Sequence, residues 1–420
     1  MISPHILKRL ITLSLILFVC TLPFHWRYNN IAIGLLAVTS LIQVRIQKLK
    51  NLISTPLFWI LTAVFWTDIL SCFFSENLQE ALFLIEKRIS ILAMPLFIGV
   101  LTPEILDYEH IIQLLKAFAY SVFVALLICL ISAAIKQNEI GWHELKKEAF
   151  MYHDLTEIIE VHSIYIAQYA SFAIGIILYI FLYEPLSLSL KIFHGFISIF
   201  LYACLFLLAN RITILAFHII VLVLGIYLGY QKANLRMNVI IILSCMILGI
   251  YGTYHYNPFF KERTQEILIS LRDPSQASGN TSTRLFILKC CKDLLLHQNT
   301  WIWGFGTGDS QQELNNCYNQ YKQGKILTED GKKNGPNAHN QYIQETLNKG
   351  IIGLAAWMSF LIVPVWYLFR RKDAFLDLYI IFWFGFATLS LTESPLDMNK
   401  GITYFSFFQS LFSLRKSSGL

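Results

Sequence analysis

From Leu115 to Ile135 the chain reads LKAFAYSVFVALLICLISAAI, and after Lys116 no charge interrupts it until Lys136. An apolar run of this length, roughly 17–25 residues, is what a helix needs to cross the hydrocarbon of a bilayer. Working outward, similar runs lie near 10–24, 30–44, 57–74, 89–102, 163–183, 192–209, 212–229, 237–255, 351–369, 376–391 and 402–414. Those near 30–44, 89–102 and 402–414 are short. Each must be helical, because a lone span in lipid satisfies its backbone only within itself. The expectation is an all-α polytopic membrane protein of about twelve transmembrane helices, one integral domain over 1–420.

Composition agrees. Of 420 residues, 55% are hydrophobic and 14% charged. A soluble chain is nearer 45–50% apolar and about 25% charged, so a soluble enzyme is excluded. Lys8 and Arg9 precede an apolar run ending at Pro23, as in a signal peptide. No small-residue cleavage site follows, so this segment reads as a retained first helix. Loop Lys and Arg set orientation. With the N-terminus inside, fourteen fall on the inner side and eight in the short outer loops. Both termini are therefore expected in the cytoplasm of a bacterium, the chain being multi-pass in the inner membrane and surrounded by its lipids. The net charge of +6 reads as this topology signal and not as a nucleic-acid surface.

Two outer segments exceed simple connections. One is 136–162; the other is 257–350, a large, partly helical periplasmic loop between the ninth and tenth spans, expected to carry the active site. Within it Thr281, Ser282 and Thr283 offer N-caps for a helix from Arg284 to His297. An aromatic and glycine turn, Trp301 to Gly308, comes next. Further helices are predicted over Ser310–Tyr321 and Gln341–Lys349, with a polar stretch at 323–336 that can act as a lid. Cys317 can pair with either Cys290 or Cys291 in an oxidising compartment. No zinc-like spacing is present.

Several residues can carry chemistry, each with a plainer reading beside it. Arg211 sits alone in a tight outer turn; it either snorkels to the interface or clamps an anion through its planar fork. Arg284 in a first helical turn opposes the helix dipole, which a phosphate bound there would explain. Arg88 either marks a membrane boundary or joins the same anion site. Gly304, Gly306 and Gly308 fit no nucleotide motif and read as a tight turn. His339 can take a proton from a hydroxyl near neutral pH. Asn337 and Asn340 flank it and can support it. His162 reads first as interfacial structure, and Glu393 as a solvated carboxylate or the partner of an arginine.

Taken in order, Arg284, Trp303-Gly304-Phe305-Gly306-Thr307-Gly308, Asn337-Ala338-His339-Asn340-Gln341-Tyr342 and Gly350-Ile351-Ile352-Gly353 resemble the signature of the O-antigen ligase superfamily. That superfamily includes lipopolysaccharide O-antigen ligases, bacterial O-oligosaccharyltransferases and some polysaccharide polymerases. The resemblance spans roughly 160–400 and includes Arg211. Two features depart from it. Phe286 is the single aromatic soon after the helix arginine, and Thr300-Trp301 replaces the usual proline before the glycine turn.

The resemblance implies inverting transfer of a glycan from an undecaprenyl-diphosphate carrier to lipid A-core or another glycan or protein acceptor. The donor arrives activated, so no metal or other cofactor is implied. Arg211, Arg284 and Arg88 would hold the diphosphate, and His339 would be the base, with Asn337, Asn340, His162 and Glu393 in support. A polymerase of the same superfamily is the alternative. A transporter or flippase would place more polar groups in mid-membrane; here Asp68 is a rare intramembrane charge.

Overall fold

In the computed structural model, residues 4–101, 105–140, 147–231, 236–256, 279–297, 300–321 and 335–415 are described, with scattered positions between 261 and 269. The described chain is helical, without strands. In order come α1 (Pro4–Thr21), α2 (Trp26–Gln43), α3 (Ile46–Ile53), α4 (Pro56–Cys72), α5 (Leu78–Arg88) and α6 (Ser90–Gly99). Then follow α7 (Tyr108–Ile140), α8 (Tyr152–Thr156), α9 (Ser163–Tyr183), α10 (Leu188–Leu207), α11 (Arg211–Gln231) and α12 (Arg236–Tyr256). The last are α13 (Gly279–His297), α14 (Ser310–Gln320), α15 (Gln341–Arg370), α16 (Leu376–Leu389) and α17 (Asn399–Leu414).

Each of the twelve apolar runs coincides with a helix. By length and composition five of these, α7, α9, α10, α11 and α15, can cross a membrane, or six if the pair α2–α3 counts as one span. That pair is bent by 108°, so the run near 30–44 does not continue straight. These long apolar helices are those of a membrane protein.

Lateral contacts show how the long helices alternate. At one end Lys400, opening α17, donates to the carbonyls of Leu22 and Phe24 just past α1. At the other end Tyr183 donates to Asp377 at 2.6 Å, and Arg415 pairs with Asp373. Pro4 and Arg415 therefore share one end, and α5, α8, α13, α14 and the start of α15 gather at the opposite end.

Two helices form the middle. α9 is buried along almost its whole length, and so is α17. Phe405 of α17 stacks on Phe386 with centroids 3.7 Å apart, and Phe408 meets both Phe118 and Phe172 at 5.0 Å. A second, smaller core lies apart from this one. It joins Ile287, Leu294, Leu314, Tyr318 and Leu347 around a disulfide between Cys290 and Cys317. Cys291 is left free and buried. The sequence had left open which neighbour Cys317 takes.

Candidate active site

The site end is organised by the start of α15. Asn340 caps this helix, accepting from the Ile343 amide at 3.0 Å. The same side chain donates to the Leu391 carbonyl at 3.0 Å, and Gln341 donates its amide to Ser390 at 2.8 Å. These bonds bring the segment after α16 alongside residues 337–341. His339, just before the cap, has φ +45°, a left-handed conformation that L-residues adopt at a cost. Its amide donates to Asn337 Oδ1 at 3.1 Å, which holds the turn.

That turn aims the imidazole at Glu393, with Nδ1 3.1 Å from Oε2. The other carboxylate oxygen lies 2.5 Å from Nη2 of Arg284. Glu393 thus bridges a histidine and an arginine that are otherwise far apart in sequence. A carboxylate accepts only, so Nδ1 carries the proton and the lone pair is on Nε2. Among the described residues Nε2 of His339 has no hydrogen-bond partner. An imidazole oriented by a carboxylate at Nδ1, with Nε2 open, is the arrangement of a general base.

Two more histidines border this group. His162 caps α9, its Nδ1 accepting from Ile164 at 3.4 Å, and its ring centroid is 3.7 Å from that of His153. Partial desolvation of the ring, then the nearby His153 and His339, push the His162 pKa down to about 4, against the pull of Glu393. Solvent at this exposed residue weakens each effect and leaves the direction. His153 is also pushed down, by burial first, with Asp154 and Glu393 opposing. Both rings are neutral near pH 7. Left-handed residues cluster around them, at Tyr152 and Glu160.

Beneath lies a buried charge cluster. Arg88 is wholly buried and meets Asp68 at 3.0 Å, Glu345 at 3.0 Å and Asp397 at 3.0 Å. Its Nε donates to the Leu396 carbonyl at 3.2 Å. Lys349 meets Asp68 at 2.7 Å and also pairs with Glu345. Asp397 is the link upward: its second oxygen accepts from Asn337 at 2.8 Å, the same residue that holds the His339 turn.

The glycine turn fastens the loop to the bundle. Phe305 and Gly306 donate to the carbonyls of Leu347 and Asn348 at 2.8 and 3.0 Å. Thr307 and Gly308 donate to Ser71 and Ser75, at 2.8 and 3.1 Å. These amides are spent on protein partners, so the turn is structural and cradles no phosphate. Gly306 has φ +97°, and Gly350 has φ +61° where α15 kinks. A Cβ on Gly350 would stand 2.1 Å from the Ile302 carbonyl oxygen, so only glycine lets the turn approach.

Residues 196–358 match the family described as O-Antigen ligase. That segment is similar to the O-antigen ligase domain, in line with the motif order. Comparison with curated proteins found no match. The family implies a glycosyltransferase-type enzyme in a bacterial membrane, acting in general on a lipid-linked glycan and an acceptor. The matched segment includes Arg211, Arg284 and His339, whereas Arg88, His162, Glu393 and Asp397 lie outside it.

Against the sequence expectations, the structure brings Arg284, Glu393, His339, Asn337 and Asn340 together and sets His162 beside them. Arg211 opens α11 at the same end, where α10 has just finished. Two expectations change. The first concerns Arg284. Its helix begins at Gly279, so Thr281–Thr283 are not caps and Arg284 is past the first turn. The dipole argument for a phosphate there therefore lapses, and its pairing with Glu393 takes that place. The second concerns Arg88. Its guanidinium is buried among three carboxylates and is not offered to a diphosphate. Glu345, Lys349, Asp397 and His153 were missed, and Asp68 was read only as a rare intramembrane charge. Such a charge demands a partner, which was the one available signal. The lid reading falls on 323–336, of which 323–334 lie outside the described residues.

Proposed function

We propose that the chain transfers a glycan from an undecaprenyl-diphosphate carrier to an acceptor hydroxyl, at the periplasmic face of the inner membrane. It works with inversion and spans the membrane about twelve times with both termini inside. The observation that carries this reading is the Glu393 bridge between His339 Nδ1, at 3.1 Å, and Arg284 Nη2, at 2.5 Å. His339 takes the acceptor proton on Nε2 as the new oxygen–carbon bond forms and the bond to the diphosphate breaks. Glu393 orients the ring and stabilises the imidazolium. Arg284 has further N–H donors beyond the one on Glu393, and with Arg211 it meets the negative charge that grows on the leaving diphosphate. Arg88 and Asp397 hold Asn337, and so the His339 turn, in place.

Other features support the location. The Cys290–Cys317 disulfide suits an oxidising compartment, as expected outside the cytoplasm. The termini share the end opposite the site. The intramembrane charge Asp68 has partners in Arg88 and Lys349, which makes it structural and removes the main feature favouring a transporter. Lipid A-core is the acceptor we favour; a polymerase extending the lipid-linked glycan uses the same chemistry. The test is His339→Ala and His339→Gln with purified donor and acceptor. Loss of transfer with donor binding intact is expected, and near-normal rates in both variants would overturn the assignment. Deleting the gene separates the acceptors: absent O-chain with accumulated lipid-linked polymer means ligase, and a core with a single repeat means polymerase.

A further inference from the structure

A cleft of about 300 Å³ opens beside this group and has no part in the chemistry above. Its walls come from the starts of α2, α9 and α17 and the end of α5, all at the site end. Trp26 and Tyr165 supply aromatic faces; Lys87, Glu160, His162 and Asn399 supply polar groups. His162 stands in this wall and is also within electrostatic reach of His339 and Glu393.

The lining selects a ligand class. The charges of Lys87 and Glu160 offset one another, and the ammonium of Lys400 is taken up by the carbonyls of Leu22 and Phe24, so the cleft has little to recruit a diphosphate. The wall is more apolar than polar, but Lys87, His162 and Asn399 within it would be poorly met by a lipid tail. Aromatic faces combined with both donors and acceptors suit a hydroxyl-rich, flat-sided molecule, namely a sugar. The volume is at the low end for ligand sites, enough for about one or two sugar rings.

The two histidines are complementary. Nδ1 of His162 accepts from the Ile164 amide, so its neutral ring carries the proton on Nε2 and can only donate there. Nδ1 of His339 donates to Glu393, so its Nε2 can only accept. One ring can hold a sugar oxygen while the other receives a proton. The mount is shared as well. Asp397 holds Asn337 at 2.8 Å and is followed directly by Met398 and Asn399 in the cleft wall.

We propose that this cleft is the acceptor-sugar site, where Trp26 and Tyr165 pack on the ring and His162 donates to it, bringing the hydroxyl to Nε2 of His339. This rests on the glycan-transfer reading above. His162 is here a positioning residue.

The test uses the full chain in detergent with a lipid-diphosphate-linked glycan as donor and lipid A-core as acceptor. Trp26→Ala and Asn399→Ala should raise the acceptor KM about tenfold, or about 1.4 kcal/mol, and move the donor KM less than about twofold. His162→Phe should raise the acceptor KM in the same way, and His162→Gln, which still donates, should recover most of it. In Asn399→Cys, soluble core oligosaccharide should slow maleimide labelling at that position, read by mass spectrometry; soluble repeat-unit oligosaccharide doing so instead would identify the acceptor as the growing glycan. A rise in donor KM alone would assign the cleft to the carrier and overturn the proposal. Unchanged KM values, or no protection by either oligosaccharide, would overturn it too. A wild-type chain that transfers glycan to neither lipid A-core nor a lipid-linked repeat would fail the underlying reading, and this one with it.

Discussion

Replacing Glu393 by Gln keeps the side chain's size and removes its charge. In the native site the carboxylate is 3.1 Å from Nδ1 of His339. When the imidazole takes the acceptor proton it becomes a cation beside that carboxylate. Such a pair about 4 Å apart is worth about 4 kcal/mol at an effective dielectric of roughly 20. The side chains of Glu393 and His339 are 15% and 34% exposed, so solvent trims the effect. A loss of about 2–4 kcal/mol remains, and at about 1.4 kcal/mol per tenfold it lowers kcat roughly 30- to 1,000-fold. Arg284 loses an anionic partner and keeps its charge, so the donor KM should not rise. The assay is initial-rate transfer across donor and acceptor concentrations, with thermal melting of the purified protein as a fold control. A variant that melts normally and keeps kcat within about threefold of wild type would refute the role. A loss confined to KM would move Glu393 from the chemical step to binding.

Arg211→Lys and Arg284→Lys keep charge and lose the planar fork, so transfer should fall at least about tenfold in each with expression intact; near-normal rates in either would remove that residue from the diphosphate site. Arg88→Met leaves Asp68 and Glu345 with Lys349 as their one cation, and Asp397 with none, among the described residues, and should cost about 3–5 kcal/mol of stability, seen as an earlier denaturation midpoint in detergent; an unchanged midpoint would contradict the cluster. The pKa of His162 is lowered to about 4 from an ordinary 6.5, so the unfolded chain takes up the proton first as pH falls. Its contribution to stability is therefore present above about pH 6.5 and lost on approach to about pH 4. The melting temperature of His162→Gln should respond less to acid over that window, and an identical response would negate the shift. Alkaline phosphatase fused after Gln320 should be active and at the C-terminus inactive; the reverse pattern would put the site on the cytoplasmic face.

The helices were legible because lipid leaves a long apolar run no other way to satisfy its backbone. The start of α15 was legible because Asn340 is a capping residue followed by a helix-forming run. The glycine turn was legible because Gly304, Gly306 and Gly308 match no phosphate-binding spacing. Pairings between distant residues were not legible. His339 and Glu393 are 54 positions apart, and Arg88 and Asp397 are 309 apart. No local period encodes such a meeting, which depends on how α5, α15 and the α16–α17 connection pack. The start of α13 was misread because Thr281–Thr283 are good caps that the helix, already begun at Gly279, does not use. The left-handed backbone of His339 had no signal either, since the residue is not a glycine.

The position of α17 bears on how the protein is made. In the order of synthesis this helix follows all the others described, and it is buried on nearly every side. Until it arrives, the slot between α4, α6, α9 and α16 that Phe405 and Phe408 will occupy must hold lipid or stay collapsed. Lys400 then reaches back to the carbonyls after α1, and Arg415 closes on Asp373. Helices far apart in the order of synthesis are thus joined in one step of assembly. Truncation after Met398 would remove the middle of the bundle and leave its rim.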